Sequence, residues 1–476
     1  MPPALRNILL GIALATSSPA AAWQEPLQIR VEAELARPPA GTRFGLVVAD
    51  ADGRELVAIN PDGRFIPASN TKLLTTAAAY FALADLGQPD AAGGASVRLE
   101  GNGRAPNVIL TGHGDARLSS AADCVANCLA ALADAVAART RRVGDIVGDG
   151  TLFPDQRWSP GMSWNNIHTR SGTAISALSL DDNELLLRVT PGAAGQPPAL
   201  DVLPYYRITN RAVTVAGGTT DLEFTRLPGS DVIYLTGTIA AGAQPETLRL
   251  GIDDPAHYAA WRFRTMLEAR GVRVAGNVAA RHRAPDQTGA SPQPAGTALA
   301  RLVPPPLADD ITRINKASQN VHAELLLRRV GLAGGTGSTD DGVAAVSSMM
   351  ERAGVPRTAW DISDGSGMST YNRLAPRAVV TLLRWIARQQ WGGQWRASLP
   401  IAGVDGTLSS RFRGTGLERR LFAKTGGLNA TSALSGYMTA RSGRTLTFSF
   451  FANDVPGGSG ATATMDAVLQ LIADAN

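Results

Sequence analysis

Cysteine, histidine and lysine are all scarce in this chain of 476 residues. The two cysteines cannot supply the four ligands of a structural zinc site, and the five histidines contain no HxH or HExxH spacing. Charged residues reach only 18%, with 45 basic against 41 acidic side chains, and no Lys/Arg-rich run of five to eight residues occurs. These shortages predict a protein without a metal site or cofactor, and they argue against a nucleic-acid partner.

Long apolar runs are also missing. No window is apolar over the roughly 20 residues that a membrane-spanning helix needs. The N-terminus combines Arg6, a short apolar stretch at 8–15 and small residues at 20–22, which is typical of an export signal. We therefore expect residues 1–22 to be removed and the mature protein to be periplasmic, with no transmembrane segment. A retained N-terminal anchor, peripheral membrane association and a homodimer stay open as alternatives.

The two cysteines, Cys124 and Cys128, lie in a stretch, 121–140, whose composition predicts a helix. Residues four apart on a helix bring their Cα atoms to the outer end of disulfide range. An oxidising compartment favours a disulfide between them, and a buried free pair is the alternative.

The order of apolar patterns predicts an α/β domain assembled from both ends of the chain. Residues 44–60 read as two strands joined by an Asp-Gly turn, and 67–87 read as a helix that ends at Gly87. The segment 90–285 is Gly-rich and strand-like, apart from the helix predicted over 121–140 and another near 255–270. A Pro-rich linker at 293–310 precedes further helices, hairpin-connected strands and a helix near 460–474. A long β-rich insertion thus separates the two halves of the domain.

Only three of the 45 basic residues are lysines, namely Lys72, Lys316 and Lys424. Arginine stays protonated in proteins, whereas a lysine can lose its proton and act as a base. A chain that uses arginine almost everywhere is expected to keep lysine where arginine cannot serve. The alternative is that the three lysines occur where they do by coincidence. The residues next to each lysine distinguish these two interpretations.

Lys72 follows Ser69 by three residues at the start of the helix predicted over 67–87. Residues at i and i+3 share a helix face, so the hydroxyl and the amine can lie within hydrogen-bond distance. The positive helix N-terminus and burial both disfavour the ammonium form, which would leave a neutral amine to activate the serine oxygen. The structural alternative is a surface helix whose first turn Ser69 caps.

The other two lysines also sit beside polar groups suited to binding a peptide. Ser318 and Asn320 follow Lys316 in a break before a helix, and they offer a hydroxyl for proton relay and an amide for a peptide carbonyl. Lys424 opens a Lys-Thr-Gly sequence on a predicted strand, where it would supply a fixed positive charge. The alternatives are a helix capped by Asn320 and a polar turn after the strand.

The motifs SxxK, SxN and KTG in this order are the signature of penicillin-binding proteins and serine β-lactamases. The chain resembles the class C low-molecular-mass penicillin-binding proteins, which are D-alanyl-D-alanine carboxypeptidases and endopeptidases of the penicillin-binding protein 4 type. Further matching elements are LTGHGDARL (110–118), GDGTLF (148–153), LDDNELLLRVTPG (180–192), DGSGMSTYNRLAP (364–376) and AGVDGTLSSRF (402–412). The resemblance covers nearly the whole mature chain.

The resemblance implies an α/β (α+β) fold with a transpeptidase-like domain split by a two-domain insertion. The expected parts are a catalytic domain at 23–90 plus 290–476, an inserted domain II at 91–180 plus 250–289, and a β-rich domain III at 181–249. The expected substrates are peptidoglycan stem peptides, and the expected covalent inhibitors are β-lactams.

The resemblance also assigns roles to residues. Ser69 would be the acylated nucleophile and Lys72 its base, while Ser318 relays a proton and Asn320 holds the substrate amide. Substrate contacts would come from Lys424, Thr425 and Gly426 of the KTG motif, the backbone N–H groups of Ser69 and Gly427, and Asp149 and Phe153 of the insertion. The structural alternative for the last two is a turn carboxylate and a core aromatic.

Two positions depart from the family pattern. Gly427 stands where Thr or Ser usually follows KTG, which keeps the backbone N–H but removes a hydroxyl. Thr370 stands where an arginine is common, although Arg373 lies close by. Both departures concern substrate preference and leave the core chemistry intact.

Two rival functions use the same residues. A β-lactam hydrolase or esterase would turn over a chromogenic cephalosporin rapidly, but the long insertion and the absence of a GxSxG elbow argue against it. A non-catalytic wall-binding module would release no D-Ala, but it has no need of a neutralisable lysine beside a serine.

Overall fold

The computed structural model describes residues 26–38, 40–101, 103–287 and 296–476. The expected signal segment 1–22 and the start of the Pro-rich linker lie outside these residues. The helices are α1 (Leu27–Leu35), α2 (Thr71–Ala82), α3 (Leu129–Arg139), α4 (Pro255–Glu268), α5 (Leu307–Ala317), α6 (Asn320–Leu332), α7 (Thr339–Arg352), α8 (Pro376–Ile386), α9 (Gly392–Ala397) and α10 (Thr462–Ala475).

The strands in the first half of the chain are β1 (Arg43–Ala49), β2 (Glu55–Ile59), β3 (Ser96–Glu100), β4 (Asn107–Thr111), β5 (Arg142–Val143), β6 (Ile146–Pro154), β7 (Glu184–Thr190), β8 (Ala199–Asp201), β9 (Arg207–Asn210), β10 (Val213–Val215) and β11 (Asp221–Thr225). They continue with β12 (Val232–Ala240), β13 (Glu246–Gly251), β14 (Arg273–Val274), β15 (Val278–Arg283), β16 (Ala300–Arg301), β17 (Trp360–Asp361), β18 (Arg373–Leu374), β19 (Leu421–Leu428), β20 (Thr431–Thr439) and β21 (Thr445–Asn453).

An antiparallel sheet of five strands joins the two ends of the chain. Its order is β19-β20-β21-β1-β2, so the N-terminal hairpin pairs with the C-terminal meander along β1 and β21. Successive side chains of a strand point to opposite faces. In β21, Phe450 packs with α1 and α10 on one face, while Phe451 packs with α2 and α8 on the other. Both faces are therefore covered by helices, and the β19 edge is left to the site described below.

The long segment between the two ends forms its own sheets. A mixed five-stranded sheet runs β15-β6-β4-β3-β16, and smaller sheets contain β9 to β12 and β7, β8 and β13. One hydrophobic cluster spans residues 95–272 and includes members on both sides of the expected limits at 180 and 250. The fold class predicted from the sequence is confirmed, whereas the division of the insertion into two domains stays a prediction.

Three local predictions need correction. The helix at 67–87 ends at Ala82, five residues before Gly87. The helix predicted over 121–140 begins only at Leu129, because Asn127 takes a positive φ of 60° and its amide bonds Asp115. Cys124 and Cys128 lie in the turn before that helix and form a disulfide, with their Cα atoms 5.8 Å apart.

Lys316 is the third correction, because it lies in the last turn of α5 and not in a break. The break is at Ser318, whose φ of 57° ends the helix, and α6 begins at Asn320. Within the described ranges, no helix is both long and apolar enough to cross a membrane.

Candidate active site

Ser69 lies in a single 3-10 turn, Ala68–Asn70, directly before α2, and its side chain is partly exposed. The preceding Ala68 has a φ of +46°, a left-handed conformation that costs a non-glycine residue about 1–3 kcal/mol. Gly367 packs against this turn so closely that a Cβ there would lie 1.9 Å from the Ala68 carbonyl oxygen. The segment that contains Gly367 therefore fixes the backbone that presents the Ser69 hydroxyl.

Lys72 is fully buried one turn further along α2, and three groups surround its Nζ atom. The Asn320 Oδ1 lies at 2.7 Å, the Ser366 carbonyl oxygen at 2.6 Å and the Ser69 Oγ at 3.0 Å. The first two can only accept hydrogen bonds, so they take both N–H groups of a neutral amine. The lone pair of that amine is then left to face the Ser69 hydroxyl.

The surroundings of Lys72 also favour the neutral amine. Burial lowers the pKa of Lys72 from 10.5 to about 7, against the opposing effect of the Asp364 and Glu324 charges. A base that operates near neutral pH needs a pKa in this range. The alternative interpretation of SxxK, a solvent-exposed helix start, is wrong for this chain because Lys72 has no exposed surface.

Asp364 and Glu324 are functional candidates that the motifs did not reveal. Glu324, on α6, accepts the backbone N–H groups of Gly365 and Ser366 at 3.0 and 2.9 Å, and thereby holds the carbonyl that binds Lys72. Burial, and next the charge of Glu324, raise the pKa of Asp364 to about 6. In the sequence, the acidic residue of DGSG was the available signal for Asp364. Glu324 lies 40 residues earlier, so its proximity to Asp364 could not be seen from the sequence.

The corner between α5 and α6 brings Ser318 and Asn320 to the same place. Gln319, and not Asn320, caps α6: its side-chain oxygen accepts the Asn320 backbone N–H at 3.0 Å. The Asn320 side chain is thereby free to bond Lys72 through Oδ1 and the Ser171 carbonyl through Nδ2 at 2.9 Å. The Ser318 hydroxyl accepts a hydrogen bond from the Lys424 Nζ at 2.9 Å.

Lys424 is buried at the β19 edge of the sheet, where its Nζ also donates to the Thr425 carbonyl at 2.9 Å. Burial, and next the charge of Lys72, lower the pKa of Lys424 well below its ordinary value. The role of Lys424 as a fixed positive charge stays a prediction; among the described residues its Nζ bonds the neutral oxygens of Ser318 and Thr425.

The other KTG residues differ in what surrounds them. The Thr425 hydroxyl bonds the Thr407 hydroxyl at 2.7 Å. A Cβ at Gly426 would lie 2.7 Å from the Pro67 carbonyl, so glycine is needed there for contact with the protein's own backbone. A Cβ at Gly427 would meet nothing within 4 Å, and this residue is exposed.

Asp149 and Phe153 do not join the cluster. Asp149 is buried on β6, where it accepts hydrogen bonds from Thr151 and lies 3.8 Å from the Arg98 guanidinium. Phe153 is 2% exposed and packs against Val321 and Leu325 of α6. The structural alternative therefore describes Phe153 as a core aromatic, whereas Asp149 lies on a strand and not in the turn that this alternative expected.

Lys316 supports the site through a loop. Its Nζ lies 2.6 Å from the Asp405 carboxylate, which also accepts the Ile401 backbone N–H at 2.9 Å. This ion pair ties the end of α5 to the loop that carries Thr407, the partner of Thr425. Lys316 thus supports the KTG motif indirectly, through the loop that carries Thr407.

We expect Lys316→Met to raise KM for the expected D-Ala-D-Ala substrate about twofold to fivefold, with kcat nearly unchanged. A partly exposed ion pair contributes at most about 1 kcal/mol, and its loss loosens only the Thr407–Thr425 contact. Steady-state kinetics on the variant measure this split, with Lys316→Arg as the control that keeps the charge. An unchanged KM in Lys316→Met would contradict the role of the loop.

The sheet flanked by helices and the Ser–Lys, Ser–x–Asn and Lys–Thr–Gly cluster together define the class that contains penicillin-binding proteins and serine β-lactamases. The model of the D-Ala-D-Ala carboxypeptidase 3 (S13) family matches residues 27–474. The chain belongs to this family, and it is a serine-type D-Ala-D-Ala carboxypeptidase.

Individual relatives agree with this assignment. The chain is 34% identical to a D-alanyl-D-alanine carboxypeptidase of Actinomadura sp. (strain R39), over 99% of this chain and 89% of the relative. It is 26% identical to the D-alanyl-D-alanine carboxypeptidase DacB of Haemophilus influenzae, over 90% and 89%. The crystal structure of penicillin binding protein 4 (dacB) from H. influenzae matches with a TM-score of 0.78 at 23% identity, over 93% of this chain and 97% of that one. The same protein in complex with a novel β-lactam matches with a TM-score of 0.74.

Proposed function

We propose that the protein is a periplasmic D,D-peptidase that cleaves peptidoglycan stem peptides through an acyl-enzyme on Ser69. The observation that carries this proposal is the buried Lys72 Nζ, which lies 3.0 Å from the Ser69 Oγ and has Asn320 and Ser366 as its two acceptors. In the neutral amine this arrangement directs the lone pair at the hydroxyl. A binding module would gain nothing from a lysine held in its neutral form.

Acylation begins when Lys72 Nζ accepts the Ser69 proton and Oγ attacks the carbonyl carbon of the penultimate D-Ala. The oxyanion accepts hydrogen bonds from the backbone N–H groups of Ser69 and Gly427, each worth about 10²–10³ in rate. As the C–N bond breaks, the proton held by Lys72 passes to the leaving amine by way of the Ser318 hydroxyl. Water then hydrolyses the ester and restores Ser69.

Recognition uses the polar wall opposite Lys72. Asn320 holds the substrate amide, while Lys424 and the Thr425 hydroxyl bind the terminal carboxylate. A carboxylate beside Lys424 favours its ammonium form, which burial otherwise disfavours.

The leaving group distinguishes carboxypeptidase action from endopeptidase action. Release of a terminal D-Ala is carboxypeptidase action, and release of a crosslinked neighbour is endopeptidase action. β-Lactams, one of which is bound in the H. influenzae structure, would acylate Ser69 of this chain and remain attached. The export signal expected at 1–22 supports a periplasmic location.

Two assays test the proposal. The protein is expected to bind fluorescent penicillin covalently and to release D-Ala from a diacylated D-Ala-D-Ala peptide. Digestion of purified sacculi, followed by chromatography of the fragments, separates carboxypeptidase from endopeptidase products. Absence of both labelling and D-Ala release would overturn the proposal, whereas rapid repeated turnover of a cephalosporin would favour a β-lactamase.

The acylation rate should depend on pH through Lys72. Because the neutral amine is the base and the pKa of Lys72 is about 7, the rate should be level above pH 7 and fall about tenfold per pH unit below it. Second-order acylation rates with benzylpenicillin between pH 5 and 9 measure this profile, with circular dichroism to show that the fold persists. A rate that rises as the pH falls would rule out Lys72 as the base.

A further inference from the structure

A tight turn at 181–183 in the insertion reaches into the catalytic half of the molecule. Asp181, Asp182 and Asn183 all have positive φ angles, of 51°, 57° and 53°. Three such residues in succession are costly, and they persist only where the surroundings hold them. Asp181 accepts hydrogen bonds from Ser119 and Ser120, and the buried Asn183 amide bonds the Ala174 carbonyl.

The side chains of Asp181 and Asn183 thus anchor the turn within the insertion, while that of Asp182 points to the catalytic domain. Its Oδ1 lies 2.8 Å from the His322 Nε2 on α6. Its Oδ2 accepts hydrogen bonds from Arg313 on α5 at 2.7 Å and from the Gln319 Nε2 at 2.9 Å. One carboxylate therefore bonds α5, α6 and the corner between them.

The contact with Gln319 leads to the catalytic cluster in two further steps. The Gln319 oxygen accepts the Asn320 backbone N–H at 3.0 Å, which fixes the first residue of α6. The Asn320 Oδ1 accepts a hydrogen bond from the Lys72 Nζ at 2.7 Å. Gln319 also lies between Ser318 and Asn320 in the sequence, so its orientation sets the position of both side chains.

Opposite charges strengthen the contact between Asp182 and the catalytic half of the molecule. His322 is fully buried, and its Nδ1 bonds the Asp310 carboxylate. Burial would lower the pKa of His322, but the Asp310 charge and the hydrogen bonds to both carboxylates raise it to about 9. Burial would raise the pKa of Asp182, but His322 and Arg313 lower it to about 2. At neutral pH the Asp182 carboxylate therefore faces two cations, the buried His322 imidazolium and the half-exposed Arg313 guanidinium.

We propose that Asp182 is a positioning residue for the reaction: it acts through Gln319 to hold the Ser318–Asn320 wall against Lys72. It touches neither substrate nor the reacting atoms. The insertion thereby supplies a part of the active-site architecture rather than a separate module. This inference rests on the proposed function, because the wall matters only if Ser69 is acylated.

Asp182→Asn tests the inference, since asparagine tolerates the left-handed backbone but lacks the charge. We expect acylation by fluorescent penicillin to slow about 10- to 100-fold, the range caused by small displacements of positioning groups. Asp309→Asn is the matched control: it removes a carboxylate that lies 3.9 Å from Arg117, another charge contact between the insertion and α5, and its side chain has no hydrogen bond to the corner among the described residues. Its acylation rate should stay near that of the wild type. Melting temperatures of both variants show how far stability alone changes.

A double-mutant cycle with Gln319→Ala separates positioning from stability. If Asp182 acts through Gln319, each single variant slows acylation and the double variant is no slower than the worse of the two. Multiplied losses in the double variant, or a wild-type rate in Asp182→Asn, would overturn the inference. A wild-type protein that is not labelled at all would instead overturn the proposed function, so the two failures are distinguishable.

Discussion

Ser69→Ala is expected to abolish D-Ala release and fluorescent-penicillin labelling, with a loss on the order of 10⁶ in rate, as for other serine nucleophiles. The Ser69 Oγ has one side-chain hydrogen bond among the described residues, the one with Lys72. Its removal leaves the neutral Lys72 amine with its two acceptors, Asn320 and Ser366, so the fold should persist. Labelling on a denaturing gel and D-Ala release measure the loss, and the melting temperature checks the fold.

Ser171→Ala is the matched control for this variant. Its backbone carbonyl contacts Asn320, so it lies next to the site, but its side chain is exposed and has no assigned part in proton transfer. We expect this variant to label like the wild type. Equal labelling of the wild type and Ser69→Ala would show that another residue is the nucleophile.

Lys72→Arg is expected to lower the acylation rate by about 10²–10⁴, the usual contribution of a positioned base. An arginine keeps the positive charge that Asp364 and Glu324 favour, but it does not release its proton at any pH at which the protein is folded. The loss should therefore persist at pH 9, where the wild-type rate is at its plateau. Acylation time courses at pH 7 and 9 measure the effect.

The third lysine provides the control for this substitution. Lys316→Arg makes the same exchange at the ion pair with Asp405, where charge and not proton release matters. It should acylate at nearly the wild-type rate. A Lys72→Arg variant with unimpaired acylation would contradict the role of the Lys72 amine as the base.

The three motifs could be predicted because each is set by local spacing. Ser69 and Lys72 share a helix face, Ser318 and Asn320 flank one helix start, and Thr425 follows Lys424 on one strand. The scarcity of lysine marks these segments independently of the motifs. The split domain could also be predicted, since helix-like and strand-like patterns at both ends surround a Gly-rich middle.

The supporting residues could not be predicted, because their roles depend on contacts between distant segments. Asp182 meets Gln319 across 137 residues, and Lys316 meets Asp405 across 89. The lowered pKa of Lys424 likewise depends on burial beside Lys72, which the spacing of residues along the chain does not reveal. Asp149 and Phe153 looked like binding residues in the sequence, but both are buried, Asp149 on β6 beside Arg98 and Phe153 against α6.

The site of covalent attachment tests the central claim most directly. After the protein reacts with benzylpenicillin, peptide mapping by mass spectrometry should place one penicilloyl group on the peptide that contains Ser69 and leave the peptide with Ser318 unmodified. An adduct on Ser318, or complete reaction with penicillin without any adduct on Ser69, would contradict the account.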